Sequence, residues 1–337
     1  MTTNSQKGEN PDTEKPKSIR GPLPYIHISE AVRDALSEIQ DRRDGKLSGL
    51  RTRWPRFNRI IGGGLQWGNN YVIAAVAGAG KSAVAGILET DLFDLNPKIS
   101  FIVLDFNFEM PSSRQVLRKI SARTGSTVNE LLSSGGKISD ELMEQVKLVS
   151  EKVKQYEIYY FDLPGTVRAI FDTIVYFRKL HPDKRLVNIF DHTRLVNPDN
   201  DNDERVRIDR LAKMCMVVKK STGCTNVILS QLNRDIESAA RISNPSLQRP
   251  FRSDIFGSDS LYQCADVVCF PHRPELLGIE YYMPQRFPTK DTIFWHIDKN
   301  RDGPTGFIRM KHDLAHNIVE ESVSEEKKEE EQQTLNL

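Results

Sequence analysis

Residues 71–83, YVIAAVAGAGKSA, join an apolar run to a glycine-containing turn and a Lys-Ser pair. A phosphate-binding loop of the form GxxxxGK[ST] needs backbone amides that converge on an anion where a helix begins, with glycine where the chain turns tightly. Ala75 takes the first glycine position of that pattern, whereas Gly78 and Gly80 stand in the turn. Because a small residue suffices at the end of a strand, we expect a nucleotide-binding loop rather than an ordinary turn that happens to contain glycine.

The Lys-Ser pair indicates how such a loop would hold its ligand. Lys81 would contact the β and γ phosphates, and the Ser82 hydroxyl would bind Mg²⁺. The sequence therefore predicts ATP and Mg²⁺ as cofactors. The predicted nucleotide-contacting residues are Ala77, Gly78, Ala79, Gly80, Lys81, Ser82 and Ala83.

Three polar residues follow other apolar runs. Asp191 ends RLVNIFD, Glu109 follows ISFIVLDF within NFEM, and Gln231 ends TNVILSQ. Ligands of parallel α/β sheets bind at the carboxyl ends of strands, so Asp191 could hold Mg²⁺, Glu109 could polarise the attacking water, and Gln231 could sense the γ phosphate. The spacing does not choose between Glu109 and Asp105 as the base. Asp191 could also be a turn or helix-cap residue, and Gln231 an ordinary polar strand end.

Two cations lie between the last two strand-like segments, DTIFWHID and FIRMKHD. Lys299 and Arg301 belong to the connection DKNRDGPTG, in which Gly303 and Pro304 favour a tight turn. Cations held in this way could reach a phosphate, most directly across a subunit boundary. A solvated turn is the alternative that the pattern leaves open.

The elements that must position these residues alternate along the chain. Strand-like and helix-like segments follow one another from NYVIAAV to the final hairpin. Nearly continuous apolar strands between helices are typical of a parallel sheet that is covered on both faces. We therefore predict an α/β fold over residues 50–318, with a mostly parallel sheet, helices on both faces and a C-terminal antiparallel hairpin.

Residues 23–49 carry a predicted amphipathic helix ahead of that domain. The helix could pack on its own chain or on a neighbouring subunit. Apolar residues recur at helical spacing in ISEAVRDALSEIQDRRDG, at Ile28, Val32, Leu36 and Ile39.

The composition limits the partners and the compartment. The 47 Lys and Arg nearly balance the 46 Asp and Glu, so a site for a polyanion must be local. No apolar run suits a signal peptide or a membrane span, so we expect a cytoplasmic protein without a membrane partner. The four cysteines lack metal-ligand spacing and are predicted to be buried thiols. Residues 1–22 and 319–337 are polar or charge-dense and are predicted to be disordered tails.

Seven segments, in this order, resemble the C-terminal ATPase domain of the DnaB-type replicative helicases. The resemblance covers residues 45–312 and implies a RecA-like P-loop core. That family also has Ala at the head of its phosphate loop, and its catalytic glutamate directly precedes a Met, so the resemblance implies Glu109 rather than Asp105 as the base. It likewise implies Asp191 at the magnesium site and Gln231 as the γ-phosphate sensor. The segments are RFNRIIGGGLQWG, AAVAGAGKSA, NFEM, VNIFDHTRLV, VILSQLNRDIE, SDIFGSDSLYQCADVV and DKNRDGPTG.

The same resemblance implies an assembly. Lys299 and Arg301 would reach the ATP of an adjacent subunit, and the chain would form a homo-oligomeric ring, a hexamer. The helix of residues 23–49 would correspond to the linker helix that docks on a neighbour. The family has a further N-terminal helical domain for ring assembly and primase contact, whereas about 45 residues precede the core here. We therefore expect a short form from a phage or mobile element, without that route to primase; a primase or helicase loader stays open as a partner, and the compartment would be the host cytoplasm.

One segment departs from the family. The family's loop reads roughly DLRESGS and lies near the DNA backbone, whereas this chain has DIFGSDS, with Phe256 in place of Arg and Asp259 in place of Gly. If single-stranded DNA is bound here, nearby arginines must supply positive charge, and Phe256 could stack on a base. Solvated loop charges are the alternative. The candidate arginines are Arg234, Arg241, Arg249 and Arg252.

The resemblance therefore implies a ring-forming motor that translocates on single-stranded DNA and unwinds duplex, with ATP hydrolysed at subunit interfaces. The alternative is a RecA-fold ATPase that acts as a regulatory or assembly module without unwinding. The near-zero net charge and the altered loop favour the alternative, and the complete set of hydrolysis residues disfavours it. A RadA-like or KaiC-like ATPase is a third interpretation, which the NFEM and DKNRDGPTG segments disfavour.

Overall fold

The protein is described by a computed structural model that covers most of the chain. The chain divides into two compact units after Leu47. None of the helices in the described ranges has the length and apolar character that a membrane span requires. The described residues are 25–193, 196–198, 203–257 and 259–322.

The first unit carries helix α1 (Ile28–Arg43), which confirms the helix predicted there. His27 caps it, because its ring accepts a hydrogen bond from the Ser29 backbone N–H at 3.3 Å. What covers the apolar face of α1 stays a prediction. The four apolar residues predicted to share that face are all exposed: Ile28, Val32, Leu36 and Ile39.

The second unit is built on a central sheet. The strands of the described residues are β1 (Asn70–Ala75), β2 (Phe101–Asn107), β3 (Ile158–Tyr160), β4 (Arg185–Asp191), β5 (Thr225–Gln231), β6 (Val267–His272), β7 (Tyr281–Tyr282), β8 (Phe287–Pro288), β9 (Thr292–Asn300), β10 (Gly306–Asp313) and β11 (Ile318–Glu321). Nine of these described strands form one sheet in the order β11-β10-β9-β6-β1-β5-β4-β2-β3. The strands from β6 to β3 in this order are parallel, and β9, β10 and β11 add to β6 in antiparallel fashion.

Several helices of this unit begin after a residue whose side chain caps them. The side chains of Ser139 and Thr166 accept hydrogen bonds from the backbone N–H groups of Leu142 and Ala169, at the starts of two helices. The helices are α2 (Pro55–Ile60), α3 (Lys81–Leu95), α4 (Ser112–Thr124), α5 (Val128–Leu131), α6 (Asp140–Val153), α7 (Val167–Leu180), α8 (Glu204–Thr222), α9 (Ala239–Ile242) and α10 (Asp259–Cys264).

Two apolar cores lie on the two faces of the sheet. In β1, Val72 and Ala74 pack with α7, α8 and α10, whereas Tyr71 and Ile73 pack with α2 and α3. This alternation follows from the two-residue period of a strand, and full burial on both faces explains the continuous apolar runs. The predicted fold class is confirmed, and so is the burial of the four thiols, Cys215, Cys224, Cys264 and Cys269.

The described fold extends past residue 318, where the predicted domain ended. Strand β11 carries a fully buried Val319, whose carbonyl accepts a hydrogen bond from Trp54 Nε1 at 3.0 Å. The Glu321 carboxylate accepts two more, from the backbone N–H groups of Arg56 and Phe57. These contacts bind the first residues of the acidic segment to α2. The rest of the two predicted tails, residues 1–22 and 323–337, lies outside the described residues.

Candidate nucleotide-binding site

The glycine-containing turn leaves β1 at Ala75 and enters α3 at Lys81, as the sequence predicts. Gly78 and Gly80 have φ values of 76° and 91°, in the left-handed region that favours glycine. At Gly80 a Cβ atom would also lie 3.3 Å from side-chain carbons of Ile293 and Leu314. The turn therefore points the amino end of a 15-residue helix, with its unpaired N–H groups, at whatever lies in front of it.

The cavity in front of this turn brings several predicted residues together. Lys81 and Ser82 line it, together with Glu109 from the segment after β2 and Gln231 from the end of β5. Ala75 pairs with Gln231 in the parallel ladder, so the two strands end at the same level. Further lining residues are Arg114 and Arg118 of α4 and Leu314 and Ala315 of the β10–β11 turn.

Asp191 ends β4 beside Ser82 and supplies the chemistry of a cation site. Its Oδ1 atom is buried and has no hydrogen-bond partner among the described residues. Burial raises the pKa of the Asp191 carboxyl, although the charge of Lys81 and a hydrogen bond from Ser82 act in the opposite direction. An unpartnered carboxylate oxygen beside a serine hydroxyl is a donor set that Mg²⁺ prefers, and a bound cation would favour the ionised carboxylate.

Glu109 reaches the cavity from the short segment between β2 and α4. Its side chain is 51% exposed, and its Oε2 atom lies 3.7 Å from His192 Nε2. The side-chain oxygen of Asn107 accepts hydrogen bonds from the backbone N–H groups of Glu109, at 3.2 Å, and Met110, at 3.1 Å. The segment therefore turns sharply at the end of β2 and presents the Glu109 carboxylate to the nucleotide cavity.

Asp105, the competing carboxylate, lies elsewhere. It is fully buried in β2, and neither of its carboxylate oxygens has a hydrogen-bond partner among the described residues. Burial, and next the charge of Glu89, raise the pKa of Asp105 well above its ordinary value, against the opposing charge of Lys119. Asp105 does not line the cavity in front of the phosphate loop. It lines an adjoining cavity between α3 and α4, which Ser82 and Asp191 also line and in which Lys119 and Glu89 form a buried ion pair at 2.7 Å. The geometry favours Glu109 as the carboxylate that would face a nucleotide.

Lys299 and Arg301 do not join this cavity within one chain. Lys299 pairs with Val268 in the β6–β9 ladder, and the neighbouring Val267 pairs with Tyr71 at the beginning of β1. The strand from Tyr71 to the phosphate loop spans about 13 Å, since each residue of a strand advances about 3.3 Å. Both cations therefore lie at the amino end of the strands, opposite to the phosphate loop.

At that end the two cations contact the carboxyl end of α10. Lys299 Nζ donates to the Tyr262 carbonyl at 2.7 Å, and Arg301 Nη2 donates to the Gln263 carbonyl at 3.1 Å. Arg301 Nε also lies 3.5 Å from the Asp266 carboxylate. The Arg301 side chain is 47% exposed, so it can reach outward from the chain.

The segment that follows β5 holds the candidate DNA-binding residues. Arg241 donates to the Asp254 carboxylate at 2.6 Å and to the backbone carbonyls of Leu247 and Arg249. Its side chain is only 13% exposed. Arg241 therefore stabilises its own loop through internal hydrogen bonds and is poorly placed to contact a phosphate backbone. The sequence pattern did not indicate this role, because the partners of Arg241 lie 6 to 13 residues away.

The other candidates in this segment are more accessible. Arg252 forms a bidentate, exposed pair with Asp259, with distances of 3.0 and 2.7 Å. Arg249 is exposed at 3.8 Å from Asp298, and Arg234 is exposed on a short 3-10 helix. Phe256 is half-buried against the core on the α8 face. Asp259, which stands in DIFGSDS where the family has Gly, therefore neutralises the charge of one candidate cation, Arg252.

The sequence patterns missed one contact to the phosphate loop. Arg273, directly after β6, donates from Nη1 to the carbonyl of Gly78 at 2.9 Å and pairs with Glu275. Glu275 also accepts hydrogen bonds from the Asp291 backbone N–H at 3.0 Å and from His312 at 3.2 Å. A polar residue at the end of an apolar strand, in CFPHRPE, was the signal that could have identified Arg273.

Comparisons with known proteins identify a family whose model matches most of the chain. The family described as DnaB-like helicase C terminal domain matches residues 49–320. The replicative DNA helicase DnaB of Geobacillus stearothermophilus is 24% identical over 277 residues, which are 81% of this chain and 56% of that protein. The chain spans a little over half the length of the curated relatives that it matches.

Solved structures share the fold. One of them, described as an ATPase domain, superposes with a TM-score of 0.75 at 22% identity, covering 88% of this chain and 99% of that chain. A DnaB-like replicative helicase, described together with its interactions with primase, gives a TM-score of 0.74 at 22% identity, covering 87% of this chain and 68% of the other. The RecA-like ATPase fold is thereby confirmed.

Proposed function

The chain belongs to the family of the DnaB-like helicase C-terminal domain, and on this premise we propose that it acts as an ATP-dependent replicative DNA helicase. It forms a ring, translocates on single-stranded DNA and unwinds duplex. The observation that carries the proposal is the separation of two half-sites. The phosphate loop, Glu109 and Gln231 lie at one end of the strands, and Lys299 and Arg301 lie at the other.

Each chain then contributes one half-site to each of two neighbours. An interface that joins different surfaces of identical subunits closes into a ring when the rotation allows it, and a homohexamer is the assembly that we propose. The exposed apolar residues of α1 would pack on a neighbouring subunit. We further propose a primase or a helicase loader as a protein partner. The proposed compartment is the cytoplasm, or the host cytoplasm if a phage encodes the chain.

The nucleotide site works through charge and position. Lys81 and the amides of residues 77–83 hold the phosphates, and Glu109 orients the attacking water while Gln231 contacts the γ phosphate. Ser82 and Asp191 would hold Mg²⁺, which when bound would neutralise phosphate charge. Lys299 and Arg301 of the adjacent copy stabilise the charge that develops as the phosphate bond breaks.

The segment after β5 is the proposed contact with single-stranded DNA. It follows Gln231 directly, so a change at the γ phosphate could move it. Arg234, Arg249 and Arg252 are its exposed cations, and Phe256 is its aromatic residue. Arginine and aromatic side chains together suit a strand with unstacked bases.

A second candidate is a regulatory or assembly ATPase that does not unwind DNA. The Arg252–Asp259 pair and the internal hydrogen bonds of Arg241 favour it, because they remove positive charge from the proposed DNA contact. The two candidates differ in what DNA does to hydrolysis, since a motor couples each hydrolysis step to movement on the strand.

One set of assays separates these candidates. ATP hydrolysis is measured with and without single-stranded DNA, together with strand separation of a forked duplex, for the wild type and Lys81→Ala. A helicase hydrolyses ATP faster with DNA and opens the fork, and Lys81→Ala loses both activities. If the rate of ATP hydrolysis is the same with and without DNA, and no fork is opened at any nucleotide concentration, the regulatory ATPase is the better account.

A further inference from the structure

The segment NFEM leaves the sheet at a point that the metal-site aspartate fixes. Asn107 pairs with Asp191 at the end of the β2–β4 ladder. The next residue, Phe108, donates its backbone N–H to the Asp191 carbonyl at 2.9 Å. The backbone of β2 is thus attached to Asp191 up to the residue before Glu109.

The Asn107 side chain then determines the path of the next residues. Its Oδ1 atom accepts hydrogen bonds from both the Glu109 and the Met110 backbone N–H groups, which folds the chain into an Asx turn. Asn107 is 6% exposed, so water is poorly placed to replace these bonds if the side chain is lost. Three residues after Glu109, Ser112 donates to Asp162 at 3.0 Å and holds the beginning of α4.

The Glu109 carboxylate has little side-chain support of its own. It is half exposed, and the distance of 3.7 Å to His192 is too long for a hydrogen bond. The direction in which the carboxylate points is therefore set mainly by its backbone, which the Asx turn fixes.

From these contacts we propose that Asn107 is the positioning residue of Glu109. Asn107 fixes the backbone of the NFEM turn, and through it the placement of the carboxylate that orients the attacking water relative to Asp191. The inference rests on the proposed function, because it assigns Asn107 a part in ATP hydrolysis. A displacement of about 1 Å at a reacting group can lower a rate by about 100-fold, so a turn of this kind has a measurable effect.

The test compares Asn107→Ala with Asn107→Asp. Alanine removes the acceptor, and we expect kcat for ATP to fall between about 10-fold and 100-fold. The KM for ATP and the affinity for a fluorescent ADP analogue stay within about twofold, because the phosphate loop is untouched. Aspartate keeps an oxygen at the same place and forms the same turn, so it recovers most of the lost kcat.

A matched control is Asn188→Ala. Asn188 is a fully buried asparagine of β4 whose side chain donates to Asn226 at 2.8 Å, away from Glu109. Its loss lowers the midpoint of thermal unfolding but leaves kcat near the wild-type value. If Asn107→Ala does not fold, Asn107→Leu replaces it, since leucine keeps the branched arrangement of side-chain heavy atoms and has no acceptor.

Three results would overturn the proposal: wild-type kcat in Asn107→Ala, equal losses in the alanine and aspartate variants, or a rise in KM without a change in kcat. A wild-type protein that hydrolyses no ATP would instead contradict the proposed function. The two failures are therefore distinguishable in one set of measurements.

Discussion

Lys299 pairs with Val268 in the antiparallel ladder between β9 and β6, and this pairing fixes Lys299 at the end of the strands opposite to the phosphate loop. A flexible loop could carry a cation to its own nucleotide, but a paired strand inside a nine-stranded sheet cannot. The same ladder that separates Lys299 and Arg301 from their own phosphate loop makes them available to another copy.

Gly80→Ala should weaken nucleotide binding. The backbone at residue 80 is left-handed, and the added Cβ would lie 3.3 Å from Ile293 and Leu314, so the turn must shift. We expect the affinity for an ADP analogue to fall about 5- to 30-fold, for a strain of about 1 to 2 kcal/mol. The measurement is a fluorescence titration.

Gly86→Ala is the matched control for this glycine. Gly86 lies inside α3, and its added Cβ would meet nothing within 4 Å. Alanine should raise the free energy of unfolding by about 0.5 to 1 kcal/mol and leave nucleotide affinity unchanged. Equal affinities for the two variants would show that the strain at Gly80 has no part in binding.

Asp191→Asn should abolish the magnesium dependence of nucleotide binding. In the wild type, chelation of Mg²⁺ with EDTA should weaken ATP-analogue binding about 10-fold or more, because phosphate charge is left unneutralised. In Asp191→Asn, EDTA should change little, and hydrolysis should be lost. The control is Asp172→Asn, which alters an exposed carboxylate of α7 that lines neither of the two cavities and should keep the wild-type response to EDTA. An unchanged EDTA response in Asp191→Asn would remove Asp191 from the magnesium site.

Asp259→Asn should strengthen binding to single-stranded DNA. The change releases Arg252 from its bidentate pair, so one more guanidinium can contact the phosphate backbone. We expect the affinity for an oligonucleotide to rise about threefold at low salt and its dependence on salt to steepen. Arg252→Ala should have the opposite effect. Identical salt dependence in all three proteins would place the DNA contact elsewhere.

The stability of the protein should fall below pH 6.5 because of two buried histidines. Burial lowers the pKa of both His272 and His296 to about 3, and neither ring nitrogen of His272 has a hydrogen-bond partner among the described residues. Between about pH 6.5 and 3 the unfolded chain binds protons that the folded chain does not. The free energy of unfolding is therefore highest above about pH 6.5 and decreases as the pH falls through this window. Each histidine should account for a decrease of about 2 kcal/mol between pH 7 and pH 5.

His272→Leu isolates this effect. The substitution removes one imidazole and leaves the other, His296, hydrogen-bonded to Tyr282 at 2.9 Å. The difference in the free energy of unfolding between pH 7 and pH 5, from urea denaturation, should shrink by about 2 kcal/mol relative to the wild type. An unchanged difference would show that His272 is protonated in the folded protein at pH 5.

The features predicted best from the sequence were those that depend on residues close together in the chain, namely the strands and the phosphate-loop turn. The period of apolar residues identified the parallel strands, and Gly78 and Gly80 identified a turn whose geometry follows from neighbouring residues alone. Residues at strand ends, such as Gln231, were placed correctly in space, because parallel strands end at one edge of a sheet.

Contacts between distant segments could not be predicted in the same way. Arg273 contacts Gly78 from 195 residues away, and Glu321 binds the start of α2 from 264 residues away. Nothing in the charge-dense C-terminal segment distinguishes a strand residue such as Val319 from a tail residue, because its burial depends on packing against Trp54. The pairing of Arg252 with Asp259 likewise depends on side-chain conformation, which no spacing rule fixes.

The central claim is that Lys299 and Arg301 complete the nucleotide site of a neighbouring copy. Lys81→Ala lacks a working phosphate loop, and Arg301→Ala lacks a cation that would complete a neighbour's site. Each variant alone should therefore lose about 1,000-fold or more in hydrolysis, while Arg301→Ala still binds nucleotide. Lys311→Ala, an exposed cation on β10, is the control and should hydrolyse ATP normally.

The most direct measurement is the hydrolysis rate of an equimolar mixture of Lys81→Ala and Arg301→Ala, after exchange of subunits. Random mixing gives about a quarter of the interfaces an intact phosphate loop from one copy and an intact Arg301 from the other. The rate of hydrolysis should therefore rise well above that of either variant alone, toward about a quarter of the wild-type rate. A mixture no more active than its components, or wild-type hydrolysis by Arg301→Ala alone, would contradict the claim.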